Sequence, residues 1–347
     1  MYFMAKIDQC LQKMVELGAS DLHLHVDYPL TYRIDGELKP IGKPVSNKQI
    51  IFLLGEILST EQKRLLNNGR EVDFAYQLDS IGRFRGNIFL QDGKFGGVFR
   101  LIPSHLYSFE EIGAPSVLRK LVQSKSGLIL VTGPTGSGKS TTMATMINEI
   151  NNTRYGHILT LEDPIEFTHE DKQCMITHKE IYRDIPTFND GLKAAFKENV
   201  DVVLIGEIRD AESMQSALNL AESGVLVLAT LHTLDAANTV KRAVSFFKDQ
   251  MRQMVRIRFA QNIKAILSMR LLPSVGGGRV ALYEVMIANQ GIRNLIKDAK
   301  DHQIQSALEQ GKADGMKTFN MSLSELLSQN RISKDVADMH NGIMGNQ

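Results

Sequence analysis

Apolar and polar positions alternate along this chain in two regimes. In the first hundred residues the periods are short and mixed. Ile7 to Leu17 places apolar residues at helical spacing and predicts an amphipathic helix. Asp21 to Val26 and Thr31 to Ile34 alternate as strands, and Asp35-Gly36 after them is a tight-turn signal. Ile50 to Leu58 and Glu61 to Leu66 predict helices, and Val72 to Leu78, Gly82 to Leu90 and Gly96 to Leu101 predict three more strands. Residues 1–102 therefore read as one α+β domain. The stretch 103–115, from Pro103 to Pro115, carries Pro, Ser and Gly and suits a linker.

From 116 to 347 continuous apolar runs alternate with helical repeats, the pattern of a parallel sheet covered by helices. Strands are expected at 127–132, 157–161, 202–206, 225–230 and 280–286. A helix is expected over 251–272, with Ile257, Ala260, Ile263 and Leu267 facing the core and Arg252 and Arg256 on a solvated face. Gly276-Gly277-Gly278 reads as a loop, Leu323 to Leu327 as part of a last amphipathic helix, and the tail from Met339 as frayed.

Composition narrows the class only a little. The 347 residues suffice for about two domains, and 43% apolar with 23% charged residues is ordinary for a globular protein. Forty basic against 39 acidic residues give no global attraction to nucleic acid or an anionic membrane. Two distant cysteines, Cys10 and Cys174, argue against a disulfide scaffold and for a reducing cytoplasm. No apolar run reaches the length of a membrane span, and the N-terminus lacks a basic start before an apolar core, so neither secretion nor membrane insertion is expected. His23 and His25 share a strand face without a Cys or acid at ligand spacing, and no metal other than magnesium is expected. Fifteen methionines are taken as flexible core filler.

The chemistry centres on Gly133-Pro134-Thr135-Gly136-Ser137-Gly138-Lys139-Ser140-Thr141. Two glycines five apart followed by Lys and Ser form a P-loop, whose backbone N–H groups wrap nucleotide phosphates. Lys139 would reach the terminal phosphates, and the Ser140 hydroxyl would ligate Mg²⁺. An apolar strand precedes the loop and a helix follows it from Thr141, as the motif requires. Val202 to Ile205 is a second apolar strand, and Glu207 follows it as a candidate for the magnesium shell or the attacking water. A third strand runs into Glu162, Asp163 and Glu166, with Pro164 ending its pairing. His232 follows the strand Val225 to Thr230, a place suited to sensing the γ-phosphate.

Together these residues resemble the PilT-like secretion ATPases. GPTGSGKST, LTLEDPIEF at 159–167, DVVLIGEIRD at 201–210 and TLHT at 230–233 match in order and spacing, as do GASDLHL at 18–24, GRFRGN at 82–87 and FRLIP at 99–103. The resemblance implies an N-terminal PAS-like α+β domain followed by a RecA-like P-loop ATPase domain with a mainly parallel sheet, ATP binding between the two, and the linker as hinge. It implies Glu166 as general base, Glu207 as the Walker B glutamate, His232 as the second His-box histidine, and Arg83, Arg85, Arg100 and Arg242 as arginines near the phosphates. It further implies a homohexamer in the cytoplasm, peripheral to the inner membrane, working on a pilus platform protein and in some systems beside a second pilus ATPase. Gly291 to Asp298 resembles the AIRNLIRE signature of pilus retraction ATPases. Four zinc-binding cysteines, usual in the extension ATPases, are absent.

Some positions depart from the pattern. Val225 stands where the family has its first His-box histidine, Val200-Asp201 where Pro-Asp is common, and Gly291, Lys297 and Asp298 where the signature has Ala, Arg and Glu. A retraction motor is the expected function. An accessory, weakly hydrolysing paralogue and a nucleic-acid motor of RecA-like fold are the alternatives.

Overall fold

Period-two alternation in the first hundred residues closes an antiparallel sheet with one apolar face. Its strands are β1 (Asp21–Leu24), β2 (Tyr28–Ile34), β3 (Glu37–Val45), β4 (Val72–Leu78), β5 (Gly82–Gln91) and β6 (Lys94–Ile102), in the order β3-β2-β1-β6-β5-β4. Helices Lys6–Glu16, Asn47–Gly55 and Thr60–Asn67 supply Ile7, Leu11, Ile50, Leu54 and Leu66 to the core beneath it, where they meet Leu22, Phe84, Ile88 and Phe99. Ser46 and Ser59 start the second and third of these helices with full capping boxes to Gln49 and Gln62. The structure is a computed structural model and describes residues 6–102 and 105–344. Two units divide the described residues. One holds those up to His105 together with Asp163–Thr168; the other holds Leu106–Glu162 and everything from His169 on. Pro103 and Ser104, at the start of the expected linker, lie outside the described residues.

In the second unit the apolar runs become a parallel sheet. Its strands are β7 (Gly127–Thr132), β8 (Gly156–Glu162), β9 (Cys174–Glu180), β10 (Val202–Ile205), β11 (Leu226–Leu231), β12 (Ile263–Pro273) and β13 (Arg279–Ile287). Their order is β13-β12-β7-β11-β10-β8-β9, and every neighbouring pair is parallel except β12 with β13. β7, β10 and β11 are buried at every position because both faces are covered. Leu128 and Leu130 enter one core, while Ile129 and Val131 enter the other across the sheet. Among the described residues no helix is long and apolar enough to cross a membrane.

Several expectations are corrected here. The helix expected over 251–272 spans Asp249–Asn262, and β12 begins at the next residue. Arg293 enforces that break by donating to the carbonyls of Ala260, Gln261 (2.7 Å) and Ile263 (2.9 Å), so the helix ends on a guanidinium. Ile257, expected in the core, is exposed. Arg256, expected on a solvated face, makes a two-pronged pair with the buried Asp301, both contacts 2.7 Å. The chain beyond Met339 continues a helix, Lys334–Met344, rather than fraying there, and residues 345–347 lie outside the described residues. β3 and β9 had no counterpart among the expected strands.

Candidate active site

The P-loop joins β7 to the helix Lys139–Thr153. All three of its glycines, Gly133, Gly136 and Gly138, hold positive φ. At Gly133 a side chain is excluded outright, because a Cβ would lie 2.3 Å from the Met269 carbonyl of β12. Gly138 is the N-cap of the helix and brings no side-chain cap, so the helix's first N–H groups keep their donor capacity for an anion. Lys139 is buried to 9% exposure, and its Nζ donates to the carbonyls of Gly133 (2.8 Å) and Pro134 (2.9 Å), which curls the loop around the ammonium. The Ser137 hydroxyl is buried without a hydrogen-bond partner. Positive-φ glycines, an uncapped helix start, a buried ammonium and an orphan hydroxyl fit a phosphate cradle. Pro134, Thr135, Gly136 and Ser140 are exposed, while the half-buried Thr141 gives its carbonyl to the Thr145 hydroxyl at 2.9 Å.

Beside it the parallel order puts the C-terminal ends of β11, β10 and β8 in sequence along one sheet edge. Cross-links between strand ends hold that edge in register. Gly206 N–H donates to the Leu161 carbonyl (2.8 Å), Ile208 N–H to the Thr230 carbonyl (3.0 Å), and the Thr230 hydroxyl to the Gly206 carbonyl (2.5 Å). Glu207 and His232, separated by 25 positions in sequence, meet here, with His232 Nε2 3.3 Å from a Glu207 oxygen. Arg209 pairs with the other Glu207 oxygen.

A family model described as Type II/IV secretion system protein matches residues 98–334, more than half of the chain. The chain belongs to this family. The type IV pilus retraction ATPase PilT of Pseudomonas aeruginosa is 42% identical over 332 residues, 95% of this chain and 96% of the relative. The twitching motility protein of Neisseria gonorrhoeae is 43% identical, over 88% of this chain and 82% of its own length. A crystal structure of the pilus retraction motor PilT with bound ADP superposes with a TM-score of 0.88 at 39% identity, over 96% of each chain. The resemblance to PilT-like ATPases read from the motifs is thereby borne out, as is the mixed fold of an N-terminal domain and an ATPase domain.

The secretion-family arginines fall in two places. Arg83 and Arg85 sit on β5 and reach the Asp163–Thr168 segment, which belongs to the same unit. Arg83 Nε donates to the Ile165 carbonyl (3.0 Å), and Arg85 Nη1 lies 3.5 Å from Glu166. Arg100 stands opposite Arg85 on β6 and is held through its Nε by the buried Asp21 at 2.7 Å. Arg242 lies on the helix Ala236–Ser245, its guanidinium stacked 4.5 Å above the Phe246 ring. Val225 is buried in the sheet core.

Sequence reasoning missed Glu284. It lies on β13, 2% exposed, and accepts a hydrogen bond from the N–H of Ala236 (2.8 Å), the first residue of the helix that follows His232. The available signal was a lone acid inside the apolar strand VALYEVMI. Burial pushes its carboxyl up to about 7, with Asp235 adding to the rise and the Ala236 N–H and Arg270 opposing it. The native state thus binds this proton more tightly than the unfolded chain. Stability drawn from it is complete below the ordinary glutamate range and is lost as pH climbs through about 7. Glu284→Gln keeps the acceptor for Ala236 and removes the titration. Urea unfolding should find the variant near wild type at pH 5 and relatively more stable at pH 8, by about 3 kcal/mol at most. An equal difference at both pH values would refute the assignment.

Proposed function

We propose that this chain hydrolyses ATP to power the retraction of a type IV pilus. The observation that carries the reading is its likeness to PilT across nearly the whole of both chains. The P-loop backbone, residues 133–141, holds the phosphates, and Lys139 exchanges two neutral carbonyls for their oxygens. Ser140 and Glu207 are the residues that would hold Mg²⁺, which when bound draws off charge from the phosphate oxygens. Glu166 takes the proton from the attacking water, its carboxylate oriented by Arg85. Glu207 and His232 form a pair that responds to loss of the γ-phosphate by passing movement to the loop ahead of the helix Ala236–Ser245. Arg83, Arg100 and Arg242 supply further positive charge toward the phosphates, suited to it by their permanent planar forks.

The working form in this reading is a ring of six copies on the cytoplasmic side of the inner membrane. The ring acts on a pilus platform protein, and a second pilus ATPase is a further partner. Val225 favours a second reading, an accessory subunit of low turnover, because a valine there can neither titrate nor hydrogen-bond. The purified protein is expected to turn over ATP only with magnesium and to scatter light as a hexamer. Nucleotide binding without turnover would select the accessory reading, and turnover stimulated by DNA would select a nucleic-acid motor.

A further inference from the structure

GASDLHL, at 18–24, carries one acid, Asp21, the first residue of β1. Pairing across the antiparallel sheet sets Asp21 opposite Arg33 of β2 on one side and Arg100 of β6 on the other, and sets Arg100 opposite Arg85 of β5. Residues opposite one another share a face, so Arg33, Asp21, Arg100 and Arg85 form one row across four strands. In the next row Tyr32, Leu22 and Phe99 enter the core, so register places the charged row on the face away from it. Like charges opposite one another cost stability, and Arg100 and Arg85 each have an acid beside them. Arg85 lies 3.7 Å from Asp73 and 3.5 Å from Glu166, both with partly exposed side chains. Arg100 has Asp21, whose side chain is 5% exposed.

Both oxygens of the Asp21 carboxylate are engaged. Oδ1 accepts from Arg100 Nε at 2.7 Å, while Oδ2 accepts from the Ser20 hydroxyl at 2.7 Å and lies 3.7 Å from Arg33 Nε. Burial works to raise its pKa, but the Ser20 hydroxyl and the Arg100 guanidinium outweigh it, so the carboxyl titrates below the ordinary aspartate range and stays charged. The two arginines are not held alike. Arg33 has a second anchor, the Gly36 carbonyl at 2.9 Å. Among the described residues Asp21 is the one group that holds Arg100, and it does so through Nε. An arginine held by Nε keeps both Nη groups for an anion.

We propose that Asp21 is a positioning residue for Arg100: it fixes the inner N–H of the guanidinium and so orders in advance the outer fork that takes phosphate oxygens. The inference rests on the reading of Arg100 as an arginine that acts on the phosphates. Asp21 touches no reacting atom. Its effect on turnover therefore passes through Arg100 and is absent where Arg100 is absent.

A double-mutant cycle separates this role from support of the sheet. In the full-length protein, kcat and KM for Mg-ATP and the thermal midpoint are measured for Asp21→Asn, Asp21→Ala, Asp21→Leu, Arg33→Ala and Arg100→Ala, and for Arg100→Ala combined with each apolar change at Asp21. The side chains of Arg33 and Arg100 both reach solvent, so removing the acid strands no buried charge, and alanine and leucine make the same test with different bulk. Arg100→Ala should lower kcat about 100-fold, and Asp21→Ala and Asp21→Leu about 10-fold. Asp21→Asn, whose amide oxygen can still accept from Nε, should stay within about threefold of wild type, and Arg33→Ala within about twofold. The double variants should be no slower than Arg100→Ala alone. Wild-type turnover in both Asp21→Ala and Asp21→Leu overturns the positioning role. So does a loss at Asp21 that persists in full on top of Arg100→Ala, the mark of a sheet merely weakened, and so does an Arg33→Ala variant as slow as Asp21→Ala. Wild-type turnover in Arg100→Ala instead removes the reading of Arg100 on which the inference stands.

Discussion

Lys139→Ala is expected to abolish ATP hydrolysis, lowering kcat by about 10³-fold or more. Two roles end together. The first is electrostatic: a buried ammonium at the mouth of the helix Lys139–Thr153 is the densest positive charge in the loop, and its low-polarity surroundings strengthen its pull on phosphate oxygens. The second is structural, since Nζ joins the carbonyls of Gly133 and Pro134 and holds the loop closed on itself. Without it those carbonyls turn toward the place where an anion must sit, and nucleotide affinity falls along with turnover. Lys139→Arg should not restore the activity, because a planar fork does not fit a socket shaped for a compact ammonium. Coupled-enzyme turnover and fluorescent-nucleotide titration check both roles. Turnover of Lys139→Ala within tenfold of wild type would remove the loop from the mechanism.

Arg256→Ala should cost the fold about 3–5 kcal/mol, the largest stability loss expected from a single change outside the site. Arg256 and Asp301 have side chains only 13% and 5% exposed, and the guanidinium also donates to the Ile296 carbonyl at 3.2 Å. Deleting the arginine strands a carboxylate where water cannot reach it. Replacing both partners by apolar residues of like volume, Arg256→Met with Asp301→Leu, should recover most of the loss, since the pair's attraction largely offsets its own desolvation. Urea unfolding of the two variants measures the difference. A loss below about 1 kcal/mol in Arg256→Ala would mean that Asp301 finds solvent or another partner.

What could be read from the sequence follows from the physics of each element. β7, β10 and β11 were legible because they are buried on both faces, so their composition alone marks them. The P-loop was legible because its glycines are required by backbone geometry, as Gly133 against the Met269 carbonyl shows. β12 was read as helix because its apolar residues continue the run of the helix before it, with neither glycine nor proline at the junction. The break is made instead by Arg293, some thirty residues further on. Arg256 looked solvated for the same reason, its partner lying 45 positions away. β9 escaped because CMITHKE is half polar, as an edge strand can be. Within the candidate site the strand-end acids and His232 could be located from their places after apolar runs. The contact between Glu207 and His232, and the hold of Glu284 on Ala236, required strand order that no local pattern encodes.

β3, invisible to pattern reading, has a consequence for how the protein behaves in bulk. It is one of the two outer strands of the antiparallel sheet, nine residues long and largely exposed, the kind of rim on which another molecule could continue a cross-β ladder. Two of its positions are Pro40 and Pro44, which have no N–H to offer, and Lys39 and Lys43 precede them with like charge. The pairing with β2 also slips in register between Pro29 and Leu30. A rim with missing donors, an uneven register and repelling ammonium groups does not template growth. Copies of this chain can therefore crowd together without seeding fibrils from that edge.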